Sequence, residues 1–135
     1  MVEWHYRDDK KPSGGKRNTV NSMTKKLAWK GGTAAMTKTD TTVTKDKIES
    51  KRGLGRTHKA RALTLRHANL TDGKGKVHKV EIIAVKTNDA NRLFARANIS
   101  TKGAIIRVKV DGAEKLAKVT NRPGQEGMVN AILLE

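Results

Sequence analysis

The apolar residues of this 135-residue chain are concentrated toward its C-terminal end, where residues 61–135 hold twenty Val, Ile or Leu. They fall in short runs with the alternation of half-buried strands. Ala62-Leu-Thr-Leu-Arg-His-Ala68 sets Leu63 and Leu65 on one face and Thr64 and Arg66 on the other, the period of two that a pleated strand imposes. Asp72-Gly-Lys-Gly75 supplies a hairpin-type turn, and residues 77–85 form the return strand, apolar at Val80, Ile82, Ile83 and Val85. Two strands joined so closely should pair antiparallel. Residues 87–97 begin with polar cap candidates and continue with Leu93, Phe94 and Ala97 at helical spacing. They predict one short helix, with Phe94 closing an end of the core. Strands over 104–110, 113–120 and 128–134 follow, divided by Asp111-Gly112 and by Asn121-Arg-Pro-Gly-Gln-Glu-Gly127. Short, closely spaced strands turning on glycines predict a mainly β fold, a small antiparallel β-barrel. Closure is favoured because so short a sheet would otherwise leave free edges.

Residues 1–60 hold six Val, Ile or Leu, with 15 Lys or Arg against 6 Asp or Glu. Such a stretch cannot bury enough apolar surface to offset the entropy of ordering its backbone, so alone it should be extended or disordered. The chain therefore divides into a basic extended N-terminal arm over 1–60 and a barrel domain over 61–135. Within the arm, Thr37-Lys-Thr-Asp-Thr-Thr-Val-Thr-Lys45 is β-prone through its branched residues. It can be an added edge strand or a flexible Thr-rich loop.

Charge turns this outline into a binding protein. The net charge is +16 and the pI about 10.4, a field that solubility does not require and that a polyanion would use. A membrane surface is disfavoured, because the basic stretches are broken by Gly, Thr and Ser and lack the continuous apolar stripe of an interfacial helix. No apolar run approaches the ~18 residues of a membrane span. The absence of cysteine excludes disulfides, thiolate zinc sites and cysteine nucleophiles, and fits a reducing, cytosolic setting. No catalytic motif is present: HExxH, G-x-S-x-G and Walker A are all missing, and His5, His58, His67 and His78 lack paired ligand spacing. The reading is a non-enzyme without metal, cofactor or small-molecule substrate.

Two clusters carry phosphate-binding chemistry. In Lys10-Lys-Pro-Ser-Gly-Gly-Lys-Arg17, the cations Lys10, Lys11, Lys16 and Arg17 surround a turn in which Ser13, Gly14 and Gly15 expose backbone N–H groups. In Arg52-Gly-Leu-Gly-Arg-Thr-His-Lys-Ala-Arg61, Gly53 admits close backbone approach, and Arg52, Arg56, Lys59 and Arg61 offer cationic tips. Lys102 beside Gly103 and Arg122 beside Pro123-Gly124 are turn positions that can touch RNA or serve turn geometry alone. Trp4, Tyr6 and Trp29 can stack on bases or pack on protein. So few aromatics point to recognition through phosphates and RNA shape.

Met1-Val-Glu-Trp-His, Lys11-Pro-Ser-Gly-Gly-Lys16 and Arg52-Gly-Leu-Gly-Arg-Thr-His-Lys-Ala-Arg-Ala-Leu63 resemble the small-subunit ribosomal protein S-eight-e family of archaea and eukaryotes. So do Asn98-Ile-Ser-Thr-Lys-Gly-Ala-Ile-Ile-Arg107 and the run from Ala117 to Glu135, which is similar to that family's C-terminal signature almost throughout. The likeness is weakest over 26–48, where Leu27-Ala-Trp-Lys-Gly-Gly32 stands in place of the family's usual Leu-Gly-Arg-Pro element. The chain has no room for the large eukaryotic insertions, so the resemblance is to an archaeal-type member. It implies a non-catalytic component of the small ribosomal subunit, in the cytoplasm, with small-subunit rRNA and neighbouring ribosomal proteins as partners. The arm would then order on rRNA. The alternative is a free-standing basic RNA chaperone or nucleic-acid-binding protein with the same charge.

Overall fold

The computed structural model describes residues 2–4, 9–17, 30–110 and 112–134, with the backbone alone for 2–4, 30 and 54. His5, Tyr6 and Trp29 lie outside the described residues, and so does the side chain of Trp4. Two compact units form, Met1–Ala34 and Ala35–Glu135. They differ from the arm-and-barrel division in the sequence because a strand from the basic stretch pairs with one from the apolar stretch.

In the first unit, β1 (Val2–Trp4) pairs antiparallel with β2 (Lys30–Gly32), setting Val2 opposite Gly32. A second antiparallel bridge joins Lys10 to Lys16.

The second unit is built on β3 (Lys38–Thr39), β4 (Lys47–Arg52), β5 (His58–Leu65), β6 (His67–Thr71), β7 (Val77–Thr87), β8 (Ile105–Val110), β9 (Ala113–Val119) and β10 (Asn130–Leu133). It also carries two short helices, α1 (Arg92–Arg96) and α2 (Pro123–Glu126). Strands β6 to β10 close into a barrel in the order β10-β6-β7-β8-β9. All pairs are antiparallel except the closing one, in which β10 runs parallel to β6.

The core follows the sequence alternation where strands are regular. In β8, Ile106 and Val108 point inward and are fully buried while Arg107 and Lys109 are exposed. In β7, register shifts near Ile83 and Lys86 advance the alternation by a residue. Val80, Ile82 and Val85 therefore all face the core, and Ile83 is left half-buried.

Four features depart from the sequence reading. The strand expected over 62–68 is two strands, broken at Arg66. There the Arg66 amide donates to Asp46 Oδ1 at 2.9 Å and its guanidinium Nε to Glu81 Oε1 at 2.6 Å. Ala62 and Leu65 are buried, not Leu63 with Leu65, and the return strand β7 pairs with β6. A second helix occupies the segment read as a turn: Pro123 opens α2 with its preset φ and Gly127 closes it at φ 75°. Phe94 is half-buried, and Ala95 is the α1 residue packed on the core.

The Thr-rich stretch contributes the two residues of β3, parallel to β5. Thr37 and Thr39 are buried, with their hydroxyls donating to Ala62 O at 2.7 Å and Asn98 O at 3.0 Å. Beyond it, the Asp40 carboxyl is held below its ordinary value by the Thr42 hydroxyl at 2.7 Å, by the Thr42 amide at 3.0 Å and by Lys38. A carboxyl shifted downward favours the fold above the acid range, and that contribution fades as pH falls through the lowered value.

Gly127 locks α2 onto β5. A Cβ added there would lie 2.7 Å from Ala60 Cβ, at a backbone angle that L side chains rarely adopt. Gly127→Ala should therefore cost about 1–3 kcal/mol in chemical denaturation, whereas Gly73→Ala, with open space around it, should be close to neutral. Equal effects at the two positions would contradict this packing.

Candidate nucleic-acid interface

Strands β4 and β5 form an antiparallel ribbon with Arg52 opposite His58, Lys51 opposite Lys59, Ser50 opposite Ala60 and Glu49 opposite Arg61. The sequence makes this ribbon through its turn. The Gly53 amide donates to Thr57 O at 2.7 Å, and a 3-10 turn over Leu54–Arg56 reverses the chain through Gly55 at φ 67° and Arg56 at φ 61°. Glycine adopts that left-handed conformation freely, while for Arg56 it costs ~1–2 kcal/mol.

All six residues of β4 and the first three of β5 are exposed. β3 meets β5 only at Thr64 and Leu65, so from Ser50 to Ala60 the ribbon has no third strand. That span contains Lys51, Arg52, Arg56 and Lys59 and no carboxylate. The four side chains have no ion-pair or hydrogen-bond partner among the described residues. Lysines directly opposite one another on an antiparallel pair repel. Fold stability therefore does not account for this arrangement, and a bound polyanion would.

Of the residues singled out in the sequence, Arg52, Gly53, Arg56, Lys59 and Arg61 are gathered on this ribbon. Lys51 joins them without having been singled out in the sequence, because its place beside Lys59 depends on the register of the two strands; the Gly-Leu-Gly turn between two charged stretches is the signal that could have pointed to it. His58 joins the ribbon too, its Nδ1 3.4 Å from Ser50 Oγ.

Lys10, Lys11, Ser13, Gly14, Gly15, Lys16 and Arg17 form a separate small hairpin in the first unit. The Lys11 amide donates to Gly15 O at 2.8 Å, Gly14 N–H to Lys11 O at 2.9 Å and Arg17 N–H to Asp9 O at 2.8 Å, with Gly14 at φ 83°. Residues 10–16 are exposed, so the turn holds three lysines at the surface.

Lys102 and Arg122 lie at the barrel end where β8 starts and β9 finishes. Gly103, at φ 87°, donates its amide to Val119 O at 2.8 Å, and Arg122 is the exposed N-cap of α2 with no side-chain capping bond.

Elsewhere, His78 Nε2 is 3.2 Å from Asp72 Oδ2 and His67 Nδ1 is 3.9 Å from Asp46 Oδ2. Among the described residues no three of His, Cys, Asp or Glu form a group that could hold a metal ion, and no helix is long and apolar enough to cross a membrane.

A closed five-stranded barrel with an exposed cationic ribbon defines a small, basic, mainly β protein. Residues 4–134 match the family model described as Ribosomal protein S8e, and the chain belongs to that family. It is 40% identical over 130 residues to "Small ribosomal subunit protein eS8" of Pyrobaculum islandicum, covering 96% of this chain and 93% of the relative. The protein of the same name from Methanococcus aeolicus is 39% identical over 135 residues, covering 99% and 98% of the two chains. That from Methanocorpusculum labreanum is 37% identical over 133 residues, with 98% of each covered. The S-eight-e resemblance read from the motifs, and its archaeal type, thus hold over nearly the full length.

Proposed function

We propose that this chain is a structural constituent of the small ribosomal subunit, not an enzyme, and that it stabilises folded small-subunit rRNA in the cytoplasm through phosphate contacts, beside neighbouring ribosomal proteins. Membership of the ribosomal family supports the setting. The observation that carries the mode of binding is the exposed β4–β5 ribbon, whose Lys51, Arg52, Arg56 and Lys59 have no ion-pair or hydrogen-bond partner among the described residues. The Lys10–Arg17 hairpin, Arg61, Lys102 and Arg122 are further phosphate contacts in this reading. Each cation neutralises charge that otherwise keeps RNA segments apart, and each contact releases condensed counterions, so binding falls steeply with salt.

Sedimentation of the tagged protein from its own cell extract tests the assignment. Stoichiometric retention with small subunits through a high-salt wash is the expected result. Spreading over nucleic acid of all kinds, or loss in the wash, would favour a free-standing RNA chaperone instead.

A further inference from the structure

Side chains at successive positions of a strand point to opposite faces. In the β4–β5 ribbon, Lys51 and Lys59 therefore occupy one face, and Arg52 and His58 the other. The approach of Ser50 Oγ to His58 Nδ1 confirms that second face. Between Ser50 and Ala60 neither face carries a carboxylate, and neither is covered by another strand; Gly127, at the end of α2, meets the second face only at its base, beside Ala60 and Ile48, and leaves Arg52 and His58 exposed. A ribbon laid flat on one phosphate backbone would use one of these faces and leave cations on the other turned to solvent. Facing lysines about 4.5–5.5 Å apart at Cβ also resist packing against each other unless anionic oxygens come between or beside them.

We infer that the β4–β5 ribbon is a two-sided wedge, seated between two phosphodiester backbone segments of RNA, with Lys51 and Lys59 on one segment and Arg52 on the other. This rests on the RNA-binding reading above and adds to it that the ribbon bridges two segments. The two segments border one groove of a single helix or belong to two helices brought together; the chemistry on the protein is the same.

Hydroxyl-radical protection of small-subunit rRNA by the full chain tests the wedge. The wild-type protein should protect two non-contiguous backbone segments that depend on the ribbon. The double variant Lys51→Ala with Lys59→Ala should lose one of them and Arg52→Ala the other. The slope of log affinity against log salt should shrink by about 1.4–1.8 and 0.7–0.9 respectively. Arg52→Gln keeps the length of the side chain, removes its charge and should reproduce the Arg52→Ala pattern. Thermal midpoints of all variants should be no lower than that of the wild type, which separates lost contact from lost fold. Segments lying in opposite strands of one helix indicate a groove, and segments in different helices indicate a bridge. Deprotection of the same nucleotides by both substitutions, or no change with Arg52→Ala and Arg52→Gln, would overturn the wedge while leaving RNA binding intact. Failure of the parent reading looks different, because the wild-type protein would then protect no rRNA segment at all.

Discussion

Ile106→Ala should lower the stability of the isolated protein by ~2–5 kcal/mol in chemical denaturation. The side chain is fully buried at the middle of the barrel, on a strand paired on both sides, with Val85 across one ladder and Ala117 across the other. Closure of the sheet limits the relaxation that could refill the space, so both the lost transfer energy and most of the residual cavity should be felt. Against the ~5–15 kcal/mol that holds a typical domain, this is a large fraction. Lys118→Ala provides the control: it lies on the neighbouring β9, faces outward and is exposed, and should change stability by less than about 0.5 kcal/mol. A loss below about 1 kcal/mol at Ile106 would mean that the barrel collapses around the deletion. At temperatures where the variant remains folded, its RNA affinity should match that of the wild type, since no cation has moved.

The legible part of the fold is the part whose stability comes from apolar side chains. β8 alternates Ile106 and Val108 with Arg107 and Lys109, and the hairpin from β6 to β7 turns at Asp72-Gly-Lys-Gly75. β4 could not be read in the same way. It has one apolar residue, Ile48, itself exposed, and is held as a strand by backbone pairing with β5. The break at Arg66 is set by partners distant in sequence, Asp46 and Glu81, and the parallel closure of β10 on β6 is a tertiary choice that local periodicity does not encode. The ribbon cations were visible as residue types near glycines. Their division between two faces was not, because it follows from a register that the turn at 53–57 sets.

Removing the ribbon's charge should have the opposite signature to Ile106→Ala. The combined variant Lys51→Ala, Arg52→Ala, Arg56→Gly, Lys59→Ala deletes the four cations without a described partner. Each phosphate contact contributes about 0.7–0.9 to the slope of log affinity against log salt, so the wild-type slope should shrink by about 2.8–3.6. Between 50 and 200 mM salt, the wild-type protein should therefore lose roughly 50- to 150-fold more affinity for small-subunit rRNA than the variant does. Stability should hold or rise, because the substitutions separate facing lysines and give the left-handed position of Arg56 (φ 61°) to glycine. Filter binding across the salt range, paired with thermal melts of the free proteins, reads both quantities. An unchanged slope would remove the ribbon from the RNA interface. A melt as depressed as that of Ile106→Ala would make the ribbon part of the structural core, and its cations would then need partners that the exposed faces of β4 do not provide.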